Sequence, residues 1–144
     1  MARHPNFTWT ILSGWVPGEH LMIELHPLTL PERVATVQVN PGVEVFSFSF
    51  AGHVSHDCAY EDDDRLEVLQ ERIDLAAEAT SGPTRVVRDR AGEITVRSAL
   101  VVDPDGPHLR PDGVVSYPLR RLKARLRGTR ITREVADFPA APSS

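Results

Sequence analysis

The chain has one cysteine, Cys58, so neither an internal disulfide framework nor a multi-cysteine zinc site can form. It has one lysine, Lys123, against fifteen arginines, a bias that suggests GC-rich coding more readily than function. No run of ~18 apolar residues occurs, so no transmembrane helix is available. The start, Met1-Ala-Arg-His-Pro-Asn, lacks the apolar stretch of a signal peptide. Gly-x-Ser-x-Gly, Walker A and Gly-x-Gly-x-x-Gly are all missing, which removes the sequence signals of a nucleophile elbow, a P-loop and a dinucleotide site. These absences leave a cytoplasmic protein with no membrane partner and no cofactor as the expectation.

What is present fits a soluble domain. The 144 residues weigh 16.0 kDa, with 41% hydrophobic and 25% charged residues and a mean hydropathy of -0.23. That length makes one domain, able to bury roughly 68–70% of its unfolded surface without staples. Charge is split along the chain: residues 1–83 hold 13 acidic and 4 basic side chains, residues 84–144 hold 7 and 12, for a net charge of -4. Such asymmetry points to an interaction surface, or to one part of the fold lying against another.

Proline marks out the regular core. Of 12 prolines, none falls between Pro41 and Pro83 or between Pro83 and Pro104. Proline breaks helix interiors and is confined to sheet edges, so those windows hold the regular elements. Leu21, Ile23 and Leu25 alternate with wetter neighbours, as do Ala35, Val37 and Val39, then Phe46, Phe48 and Phe50; period two predicts strands. Asn40-Pro41-Gly42 reads as the turn between the last two. Thr84–Asp89 and Glu93–Val102 form a hairpin through Arg90-Ala91-Gly92, with Ile94, Val96, Leu100 and Val102 on one face. The first sixteen residues fit strand or short helix equally.

A helix is predicted over Asp64–Thr80. Asp64 and Glu67 have capping-box spacing, and Ser81-Gly82-Pro83 supplies a stop. Leu66, Leu69, Ile73, Ala76 and Ala77 form its apolar stripe. A second helical segment runs from Pro118 to Arg127, with Pro at N1 and Gly128 as a stop. Together these give one α+β domain over residues 1–137 and a disordered tail over 138–144. Its five-stranded antiparallel sheet follows the order three strands, helix, two strands. The main helix packs on one face, and a basic helical segment lies at the C-terminus.

Three clusters carry chemistry. Asp62, Asp63, Glu67, Glu71, Asp74 and Glu78 load the helix with carboxylates, the last four at steps of three to four residues along one face. That is either a solvated face or a docking surface for a protein with a basic patch. His53, His56, Asp57 and Cys58 are competent metal ligands, and Cys58 beside His56 is the minimum of a thiol nucleophile. On an extended segment His53 and His56 point to opposite sides, so the alternatives are a turn that joins them in a metal site or a polar strand-to-helix loop. Arg120, Arg121, Lys123, Arg125, Arg127, Arg130 and Arg133 crowd fourteen residues. Arginine suits phosphate, but no aromatic is interleaved for base stacking, and the pI near 5.8 is contrary to a nucleic-acid footprint. Pairing within the fold is the other reading.

The stretch Phe50-Ala-Gly-His-Val-Ser-His-Asp57 ends a Phe-rich strand and is followed by an acidic amphipathic helix and a strand hairpin. Over about residues 43–102 this order resembles small uncharacterised bacterial proteins, some of them regarded as immunity proteins of polymorphic toxin systems. In those relatives the two histidines stand one residue apart, whereas here two residues separate them. The resemblance implies a compact, non-enzymatic binder and identifies no catalytic residue.

Overall fold

A computed structural model describes residues 4–13, 21–40, 44–59 and 64–141. The Asn40-Pro41-Gly42 turn and the carboxylates Asp62 and Asp63 fall wholly or partly outside them. The chain divides into two compact units, Met1–Gly82 with Ala141–Ser144, and Pro83–Ala140. No described helix is long and apolar enough to cross a membrane.

The first unit is an antiparallel meander of β1 (Phe7–Ser13), β2 (Leu21–Pro27), β3 (Ala35–Asn40), β4 (Val45–Phe50) and β5 (His53–Cys58), in that spatial order, followed by α1 (Asp64–Ser81). Register builds its core. Phe48 sits opposite Val37, which sits opposite Ile23; Phe50, Ala35 and Leu25 form the next row. All six are buried, with Phe46 beside them. Helix α1 lies across β2, β3 and β4 and covers this apolar face. The other face carries Met22, Thr36, Gln38, Ser47 and Ser49, so each strand alternates apolar and polar as its period requires. Ala51 (φ 48°) and Gly52 (φ 79°) join β4 to β5 between the paired residues Phe50 and His53. Two positive φ values make this a type I′ connection, the turn that matches strand twist.

The predicted stripe of α1 holds at Ala76 and Ala77, which are buried, and at Leu69 and Ile73, which are half-buried; it fails at Leu66. Leu66 is 76% exposed, while Leu75, Ala76, Ala77, Ala79 and Thr80 are buried. Alanines let the helix backbone approach the sheet closely, and the Thr80 hydroxyl donates to Ala76 O at 2.8 Å, so its polar atom is satisfied inside. Arg72 lies on the sheet side too, reaching Ser55 Oγ at 3.5 Å and Asp57 Oδ2 at 3.4 Å.

The second unit holds β6 (Thr84–Ala91), β7 (Ile94–Val102), β8 (Arg110–Ser116), α2 (Pro118–Leu126) and β9 (Ile131–Phe138), with strand order β8-β7-β6-β9 and every pairing antiparallel. Val86, Val96, Leu100 and Val102 are buried. A register slip between Asp89 and Arg90 sets Ala91 in a cluster with Val96 and Ala124, against which Ile131 packs. Ile94, placed on the apolar face by its spacing, is 54% exposed because it stands beside the hairpin tip at Gly92 (φ 62°).

The single five-stranded sheet expected from the sequence is therefore corrected to two sheets, of five and four strands. The hairpin over residues 84–102 pairs with β8 and β9 rather than extending the Phe-rich sheet. The basic segment is helical only over Pro118–Leu126; the chain then returns as β9, so the C-terminal basic residues do not form one helical block.

Candidate functional site

The carboxylates of α1 part company in the structure. Glu67, Glu71 and Glu78 are exposed. Asp74 is half-buried, accepting from His4 Nε2 at 2.6 Å and from Gln70 Nε2 at 2.8 Å, so it holds the start of the chain to the helix instead of facing solvent. The helix carries two cations, Arg65 and Arg72. Arg65 pairs with Glu44 and Arg72 with Asp57. Both guanidiniums are drawn to carboxylates of the sheet region, which leaves the Glu67–Glu71 side undiluted by positive charge. Leu66 stands exposed in that same turn.

The segment His53–Cys58 is a strand, not a loop, and this decides what its side chains do. His53 and Ser55 point into the core, with the His53 ring 6.4 Å from that of Phe48. His56 and Cys58 are exposed, and alternation places them on the opposite face. Asp57 receives Arg72 and caps its neighbour, Cys58 N–H donating to its Oδ1 at 2.9 Å. The structure thus brings none of His53, His56 and Asp57 together. Among the described residues no group of three or more His, Cys, Asp or Glu is placed to hold a metal ion.

Serine 47 is a partner for His56 that sequence spacing does not show. The two are paired across β4 and β5, with Ser47 Oγ and His56 Nδ1 hydrogen-bonded at 2.8 Å. Ser47 also borders a shallow depression of about 240 Å³, lined by Met22, Thr36, Gln38, Ser49 and Val54. A serine–histidine contact alone does not make an acyl-transfer site; that needs free N–H donors for the developing oxyanion. Strand β4 is paired on both sides, so its N–H groups are engaged in the sheet.

The arginine-rich segment divides in two. Arg133, on β9, stands directly opposite Asp89 on β6, which stands opposite Arg97 on β7. Arg133 Nε donates to Asp89 Oδ1 at 2.8 Å and Nη2 to Oδ2 at 3.3 Å, while Arg97 lies 3.7 Å away. The hydrogen bond from Arg133 holds the Asp89 carboxyl below its ordinary range against the opposing effect of burial, helped by the charges of Arg133, Arg97 and Arg121. Beside it is a depression of about 170 Å³ lined by Val87, Asp89, Arg97, Ala99 and Arg133. Arg88 and Arg90 pair likewise with Glu134, and Arg85 with Asp137. These are cross-strand pairs at separations of 44 to 52 residues, which no local sequence pattern reveals.

By contrast Arg120, Arg121, Lys123, Arg125 and Arg127 are all exposed, with Arg120 stacked 4.3 Å over the Tyr117 ring. No family model, no curated protein and no solved structure matches this chain.

Proposed function

We propose that this is a cytoplasmic bacterial binding protein, of immunity or accessory type, that acts by stoichiometric contact with a protein bearing a basic surface. The observation that carries the reading is the state of α1. Its two arginines are committed to Glu44 and Asp57, and Glu67 and Glu71 stand exposed beside an exposed Leu66. Like charges at i,i+4 cost a few tenths of a kcal/mol in the free protein, and a cationic partner relieves that cost. Leu66, about a quarter turn round the helix from Glu67, offers an apolar point of contact at the edge of such a surface. The contact surface is Glu67, Glu71 and Glu78 with Leu66; Asp62 and Asp63, immediately before the helix, extend it in sequence.

Paired pull-downs from the source lysate test this, using the wild-type chain and a Glu67→Lys/Glu71→Lys variant as baits. The reading expects a basic protein retained near one-to-one by the wild type, released by salt and missed by the variant. Equal retention by both baits removes α1 from the contact.

A further inference from the structure

Helix α2 is turned the wrong way round for a helix that only completes a core. Ala124 is its one buried residue, packed with Val96 and Ala91. Leu119, Leu122 and Leu126, at i, i+3 and i+7, are 73%, 54% and 80% exposed. At 3.6 residues per turn they share the side opposite Ala124. A stripe of three outward leucines is an apolar patch without a function in the isolated fold. Arg125 flanks it on one side, Lys123 and Arg127 on the other. From Gly113 to Arg133 the sequence has seven cations and no carboxylate.

The helix is also held in place before any partner arrives. Tyr117 N–H donates to Val96 O at 2.9 Å, Thr129 N–H to Ala124 O at 2.9 Å, and Gly128 N–H to Arg125 O at 3.0 Å. Docking therefore pays no cost of ordering the helix.

We propose that α2 adsorbs to an anionic lipid surface, with the three leucines entering the boundary between headgroups and acyl chains. Charge complementarity selects this occupant. Cations lie on both flanks of the stripe with no carboxylate among them, and a plane of lipid phosphates meets both flanks at once. Long arginine and lysine side chains reach such phosphates while their stems stay beside the leucines. Nucleic acid would satisfy the cations but leave the leucines wet. The expectation that no membrane is a partner rested on the lack of a long apolar run, which bears on spanning and not on lying at the surface.

Co-sedimentation of the full chain with vesicles tests the proposal. The vesicles are phosphatidylcholine alone, and phosphatidylcholine mixed with phosphatidylglycerol, each at low and high salt. Binding to the anionic vesicles at low salt is expected, weakened by high salt and absent on the neutral ones. Leu122→Ser and Leu126→Ser, both at solvent-exposed positions, should each weaken it roughly tenfold. Arg125→Gln/Arg127→Gln should weaken it as well, with circular dichroism unchanged in every variant. Failure of the wild type to bind anionic vesicles overturns the proposal. So does binding that both leucine variants retain in full. Tight binding to duplex DNA that the leucine variants keep, without vesicle binding, reassigns the cations to nucleic acid.

Discussion

At the scale of single residues, burial and pairing decide which side chains matter. Phe48 is fully buried on β4, an interior strand of its sheet. Phe48→Ala should cost about 3–5 kcal/mol by removing that volume from a covered face; a urea midpoint that does not move would show the face wrongly assigned. Asp89 is held ionised by Arg133, so its folded-state pKa lies below the unfolded one. A depressed carboxyl stabilises the fold above the unfolded pKa of about 3.9, and the contribution is lost as pH falls through the folded value. Asp89→Asn should therefore cost about 1–3 kcal/mol near neutral pH and flatten the loss of stability below about pH 4. Urea titrations at a series of acid pH values measure both effects, and parallel curves for the two proteins would contradict the assignment. The arginine partners of Asp89 were illegible in the sequence, since each comes from a different strand.

Elements were legible in proportion to how clean their periodicity is. Helix α1 begins at the predicted Asp64 and ends one residue beyond the predicted Thr80, at Ser81, because an acidic first turn, a regular spacing and a Gly-Pro stop agree. Its apolar stripe was legible from Leu69 to Ala77 but not at its start, where Leu66 is exposed, nor at Leu75, Ala79 and Thr80, which widen the buried face. Strands β2, β3 and β4 follow their alternation. Strand β5 was hidden because His53 and Ser55, its buried residues, are polar. Strand β8 contains Pro111 and Gly113, and β9 alternates charges that pair across strands. The β4–β5 connection yields a prediction of its own. Ala51 holds φ 48° in a type I′ turn, a conformation that Asn tolerates better than Ala. Ala51→Asn should raise stability by about 0.5–1 kcal/mol, visible as a higher denaturation midpoint at an unchanged slope; a lower midpoint would count against the turn.

For the whole molecule, sheet membership was the level the sequence could not reach. Strand patterns show which residues pair, not which sheet a hairpin joins, and the hairpin at residues 84–102 joined β8 and β9. The charge split was legible and coincides closely with the two compact units, acidic before Pro83 and basic after it. In the basic unit the strand arginines are paired while those of α2 are exposed. In the acidic unit both helix arginines are paired while Glu67 and Glu71 are exposed. Surplus charge of each sign is thus exposed on one helix of each unit, and the contacts proposed above rest on those fields. The most direct measurement is the association rate of the proposed basic partner, once isolated by the pull-down, with wild-type chain and with Glu67→Lys/Glu71→Lys, followed across ionic strength. Folding of the variant should be intact, each exposed change mattering by less than ~0.5 kcal/mol. Its association should be at least several-fold slower at low salt, converging on the wild type as salt rises. Equal rates at low salt would contradict the assignment of α1 as the contact surface.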